Sequence, residues 1–297
     1  MTLKITQIIN KFLLPVVLII IFSMLGLGVY AYKQKPQYFF LFFGMGFMVA
    51  LGEIIIIIFS QHKQILRRII QGLVGGGLFF GISINFRVNF QFSEVIFDIM
   101  ALVVTGALIQ FIIARLIMPF VVGNAFCSRV CWDGAVFELS QSLLPKAGTK
   151  KHRSVYTASG YLLFIIILAV AVAHYRNPAL DENQRIWWII GENIFLLAAG
   201  FGLSYIWGRR AYCRMLCPFI TISGVFSKYS IFKIAPANAD KCIECGKCNN
   251  ACPMMIDVSS FVKNRKRINN RSCILCEQCV SSCVNECLKL APGLPWK

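Results

Sequence analysis

Eight cysteines near the C-terminal end fall into two runs of one spacing. Cys242, Cys245, Cys248 and Cys252 read C-x2-C-x2-C-x3-C with Pro253 after them, and Cys273, Cys276, Cys279 and Cys283 repeat the run. Three closely spaced thiolates wrap one cubane, and the fourth Cys of each run crosses to the other cluster. The spacing therefore predicts one [4Fe–4S] cluster on Cys242, Cys245, Cys248 and Cys283, and a second on Cys273, Cys276, Cys279 and Cys252. Zinc also accepts C-x2-C pairs, but it has no need of eight cysteines in two interleaved sets. Val284 stands where the first run has Pro253, and Cys287 follows at another x3 interval. Cys287 is expected as a buried thiol beside the cluster, with Cys283 keeping the ligand position.

Two further pairs, Cys127 with Cys131 and Cys213 with Cys217, are each C-x3-C beside an Arg and an aromatic. On a helix that gap sets both sulfurs on one face, one turn apart. The two segments look like an internal repeat, with apolar spans before the pair and an amphipathic stretch after it. If the pairs converge, four soft thiolates suit a third iron–sulfur cluster. The alternative is redox thiols that only pack or form transient disulfides.

The elements that must position these cysteines are set by composition. Of 297 residues, 57% are hydrophobic and 14% charged, which excludes an ordinary soluble globule. Apolar runs near the length that crosses a bilayer occur at Phe12–Tyr32, Tyr38–Ser60, Ile69–Phe86, Val95–Arg115, Ser159–His174 and Trp187–Trp207. The expected fold is an all-α polytopic membrane bundle of about six transmembrane helices over residues 1–235, followed by a bacterial-type 2[4Fe–4S] ferredoxin domain over 236–297. All thirteen cysteines lie after residue 126, in spacings of metal ligation rather than disulfides, and no cleavable signal peptide is apparent.

The net charge of +17 reads as topology rather than nucleic-acid binding, because Lys and Arg flank the apolar runs. Lys4, Lys11, Lys63, Arg67, Arg68, Arg115, Arg129, Lys146, Lys150, Lys151 and Arg153 fall on one side. Only Lys33, Lys35, Arg87, Arg176 and Arg185 fall on the other. Both termini and every cysteine motif are expected on the cytoplasmic side of the cell membrane. Glu53, Asp98 and Glu192 lie in or near spans, where a carboxylate is costly; each is a candidate for a proton path or a quinone contact, or else bonds a neighbouring helix. His62, His152 and His174 all lie away from the middle of a span, so no haem is expected.

The combination of membrane spans, C-x3-C pairs and a C-terminal pair of ferredoxin motifs resembles the NapH and NosR type of membrane quinol dehydrogenase. The likeness covers residues 70 to 290 and is sharpest from Trp207 to Cys283. It departs at Trp132, where the family has Pro, and lacks the flavin-binding domain of NosR-like members. The resemblance implies an oxidoreductase subunit of a respiratory chain that takes electrons from the quinone pool and passes them to iron–sulfur or cytochrome partners. Two other readings stand beside it: an assembly factor supplying electrons for metal-centre insertion, and a passive relay in a larger membrane complex.

Overall fold

The computed structural model describes residues 2–34, 36–84, 89–140, 162, 165–166 and 182–293. Helices α1 (Thr2–Lys33) and α2 (Pro36–Ile58) form a hairpin. Pro36 opens α2, where its missing N–H costs nothing. Gly46 lets the two helices close, since a Cβ there would lie 2.4 Å from the Phe22 Cβ. Helix α3 (Lys63–Gly76) runs on as a π-helical turn, Gly77–Ile84. Arg67, Gln71 and Gly75 recur every fourth residue and form its buried face.

The run expected as a straight fourth span is broken. Helix α4 (Phe92–Ala101) meets α5 (Gly106–Phe111) at 117°; α5 then continues through a π-helical stretch, Ile112–Ile117, into α6 (Met118–Val122). Leu102 ends α4 in the left-handed region, φ 55°. Thr105 Oγ1 accepts from Ala107 N–H at 3.1 Å and donates to the Asp98 carboxylate, tying the corner from both sides. Among the described residues, two helices are long and apolar enough to cross a membrane, at Phe12–Tyr32 and Ile190–Trp207, and three if the bent pair is one span. The apolar part of α2, Phe42–Ile58, is shorter. Six spans are therefore not seen, and the one expected at 159–174 lies, apart from three residues, outside the described residues.

Two short cysteine-bearing helices follow membrane elements in the same way. One is α7 (Phe126–Arg129), followed by α8 (Trp132–Ser140). After α9 (Glu182–Trp207) comes the other, α10 (Ala211–Met215), followed by α11 (Pro218–Ser227). Their backbones close at the C-terminal end in the same way. Val130 and Cys131 N–H both donate to Phe126 O, as Leu216 and Cys217 N–H both donate to Tyr212 O, at 2.9–3.0 Å. The repeat read in the sequence is thus a repeat of local structure.

The C-terminal part starts with β1 (Phe232–Pro236), paired antiparallel with β2 (Leu288–Pro292) with Ile234 opposite Leu290. The domain boundary expected at 235/236 falls inside β1. Between the strands lie α12 (Lys247–Ala251), α13 (Val258–Lys263) and α14 (Gln278–Ser281). The two cysteine runs fold alike here too. Glu244 and Leu275 both have φ 51°, and Gly246 and Glu277 have φ 71° and 59°. Left-handed turns at matching positions curl each loop around its cysteines. Side chains such as Leu275 and Glu277 adopt that region only at a cost in strain.

Candidate functional site

The two C-x3-C pairs, far apart in sequence, meet. Cys127, Cys131, Cys213 and Cys217 all line one cavity of about 940 Å³. Arg115, from the π-helical stretch before α6, reaches in and donates from Nη1 to the Cys127 sulfur at 3.0 Å. Its guanidinium lies 4.4 Å from the Phe126 ring centroid and 4.7 Å from that of Phe219. Burial pushes the Cys131 thiol up to about 11 and the Cys217 thiol up to about 12. An all-sulfur donor set is what iron–sulfur clusters take, and a strongly cationic centre is what holds coordinating thiols as thiolates. The residues therefore fit such a group.

A buried ionic frame holds this corner rigid. The Glu138 carboxylate of α8 takes Arg210 Nη2 at 2.6 Å and Arg67 Nη2 at 2.5 Å, with all three residues 2% exposed or less. Burial pushes the Glu138 carboxyl up, but Arg210 and Arg67 more than offset this and hold it below the usual carboxylate range. The same arginines serve the thiol loop directly. Arg210 donates to Cys127 O at 3.0 Å and Arg67 to Ser128 O at 2.7 Å. Gln71 donates to Cys127 O and Cys131 O at 3.2 and 3.0 Å. Carbonyls that face away from the sulfurs are thereby satisfied without water.

Cys252 lines a cavity of about 330 Å³ together with Cys273, Cys276 and Cys279, so the fourth residue of the first run stands with the second. Burial pushes Cys252 up to about 11 and Cys273 to about 12. On the other side burial pushes the Cys248 thiol up, with Cys283 and Cys242 adding to it. Cys287 is 2% exposed, and its N–H donates to the Cys283 sulfur at 3.3 Å. Among the described residues, no three His, Cys, Asp or Glu side chains are gathered to hold a single metal ion.

The loop of the first pair is joined to the second cysteine run. Ser128 Oγ donates to Ile274 O and Arg129 Nη1 to Leu275 O, each at 2.7 Å. Arg129 also pairs with Glu53 and, at 3.0 Å, with Glu277. The two residues after Cys127 thus bond the two residues before Cys276.

Of the three carboxylates singled out from the sequence, Glu53 is engaged by Arg129 and Asp98 by Thr105. Glu192 accepts from Asn89 Nδ2 and from Ser93 Oγ, each at 2.7 Å. None of the three lines the cavity of the paired thiols, whereas Asp133 does. Asp133 and Arg115 were missed by the sequence reading. The available signals were an Arg inside an apolar run and a carboxylate two residues after Cys131.

A protein-family model described as a 4Fe–4S dicluster domain matches residues 235–284. A second, described as a 4Fe–4S binding domain, matches twice, at 103–150 and 190–235, once on each C-x3-C segment. An uncharacterized protein of Methanocaldococcus jannaschii, MJ0749, is 26% identical over 221 residues, 65% of this chain and 82% of its own length. YccM of Escherichia coli, named for electron transport, is 29% identical over 204 residues, 61% of this chain and 54% of its own. MauN of Paracoccus denitrificans, a methylamine utilization ferredoxin-type protein, is 27% identical over 157 residues, 51% and 56% of the two chains. The chain thus spans little more than half the length of the last two. No solved structure matches. The chain carries 4Fe–4S binding regions on both its paired-thiol and its C-terminal segments, and is a distant relative of 4Fe–4S ferredoxin-type proteins, among them one named for electron transport.

Proposed function

We propose that the chain is a membrane electron-transfer subunit of the NapH and NosR quinol-dehydrogenase kind, which oxidises quinol and relays electrons to a partner redox protein. The observation that carries the reading is the meeting of Cys127, Cys131, Cys213 and Cys217 in one cavity, bonded to the ferredoxin-type region. In it, residues 1–235 form the membrane part and 236–297 the ferredoxin-type part, with the cysteine segments facing the cytoplasm.

Cys127, Cys131, Cys213 and Cys217 would hold a third cluster beside the two on Cys242, Cys245, Cys248, Cys283 and on Cys273, Cys276, Cys279, Cys252. Clusters so held supply one-electron steps at potentials set by charge, hydrogen bonds and burial. The chain's own side chains do the rest. Arg115 places positive charge on Cys127, and the Glu138, Arg67 and Arg210 frame fixes the thiol loop. Ser128 and Arg129 hold that loop against Ile274 and Leu275, so that the membrane and ferredoxin-type centres stand as neighbours. Anaerobic protein mixed with a naphthoquinol should develop the EPR signals of reduced clusters. If no cluster is reduced, while dithionite reduces all of them, the quinol reading fails.

A further inference from the structure

The cavity of the paired thiols is nearly three times the size of the one lined by Cys252, Cys273, Cys276 and Cys279, about 940 against about 330 Å³. Small-molecule sites are concave, with apolar walls and a few placed polar groups. Beyond the thiols, the walls here include Leu78, Phe79, Phe90 and Trp132. The Phe79 and Trp132 rings lie parallel, with centroids 5.5 Å apart and 2° between planes. Gly75 lets the Val130–Trp132 backbone close on α3, since a Cβ there would meet Val130 O at 2.6 Å and Trp132 Cα at 3.1 Å.

Three residues lining this cavity carry buried polar atoms with no hydrogen-bond partner among the described residues: Trp132 Nε1, Asp133 Oδ1 and Arg115 Nε. Arg115 is only 4% exposed. Buried polar atoms are almost always satisfied, and three orphans in one chamber point to a ligand that completes them. Gln91 Nε2 donates to Asn193 Oδ1 at 2.8 Å, and Oδ1 of Asp133 stands beside them as an open acceptor among the described residues.

We propose that this chamber seats the ring of a quinol, one hydroxyl of which accepts from the Trp132 N–H and donates to the Asp133 carboxylate. This rests on the quinol reading above and gives it a place. A hydroxyl both donates and accepts, whereas a quinone carbonyl only accepts, so a neighbouring donor and acceptor favour the reduced ring. Trp132 stands where the second motif has Pro218, so the first repeat carries the ring site and the second does not.

The test uses the full chain in detergent with its iron measured. A short-chain naphthoquinol and the matching naphthoquinone are the probes, titrated calorimetrically under argon. The wild type should bind the quinol more tightly than the quinone. Trp132→Phe keeps the ring wall but not the N–H, and should weaken quinol binding about tenfold. Asp133→Asn offers an amide donor, and should erase most of the preference for quinol over quinone. Unchanged quinol affinity in both variants overturns the site. A wild type with full iron that binds neither probe overturns the quinol reading itself. Should a variant lose its iron, the wild type labelled with an azido-quinone decides. Crosslinks within residues 74–80 or 132–140 are expected, and crosslinks confined to other segments overturn the site.

Discussion

Arg115 and Cys127 are joined by a hydrogen bond of 3.0 Å from guanidinium to sulfur, in a pocket closed by Phe126 and Phe219. A cation on a ligand sulfur stabilises the more negative, reduced form of a cluster. Hydrogen bonds to charged groups contribute roughly 1.5–3 kcal/mol, and about 1.4 kcal/mol corresponds to 59 mV for one electron. Arg115→Gln should therefore lower the midpoint potential of the cluster on the paired thiols by about 60–130 mV. Arg115→Lys should restore part of it. An EPR-monitored redox titration checks this, and the other two potentials should hold still.

The crossing of Cys252 to the second run gives a test by iron counting. Cys252→Ser combined with Cys273→Ser removes two ligands of one cluster and should cost about four irons. Cys252→Ser combined with Cys242→Ser strikes two clusters and should cost about eight. The reverse pattern, about eight irons lost in the first double variant and about four in the second, would mean that each run holds its own cluster.

Glu138 is 1% exposed and carries Arg67 and Arg210, themselves buried. Glu138→Gln leaves two buried cations short of their anion, a loss that typically destabilises by about 3–5 kcal/mol. The variant should melt well below the wild type in detergent and lose the iron of the paired-thiol site first. Scanning calorimetry with parallel iron assays measures both.

The junction between the two parts of the chain should depend on pH in one direction. Burial pushes the Glu277 carboxyl up, but Lys63 and Arg129 more than offset this and hold it below the usual range. A depressed carboxylate contributes stability that is complete above its unfolded value, about 4.3, and is lost as pH falls through the lower folded value. Protease cleavage between Ile231 and Asn270 should therefore stay slow at neutral pH and quicken in acid. Glu277→Gln should cleave quickly at neutral pH and change little on acidification.

The ferredoxin-type part was legible because its chemistry is local: the two cysteine runs stand out by spacing alone, and Cys252 lines one cavity with Cys273, Cys276 and Cys279. The C-x3-C repeat was legible for the same reason. The membrane part was less so. Hydropathy windows add up residues without knowing where a chain turns, so nothing in the run 95–115 announced the corner that Asp98 and Thr105 tie. Charge counting read Arg67 and Arg129 as topology signals. Their partners Glu138 and Glu53 lie 71 and 76 residues away, beyond the reach of any window. Asp133 was hidden by its place beside a cysteine motif that drew attention to sulfur.

The central claim is that four thiols from two distant segments hold a third cluster. Anaerobic protein should contain about twelve irons and twelve sulfides per chain, given four of each per cubane. The Cys131→Ser, Cys217→Ser double variant should fall to about eight while keeping the signals of the two ferredoxin-type clusters. About eight irons in wild type and variant alike would contradict the account.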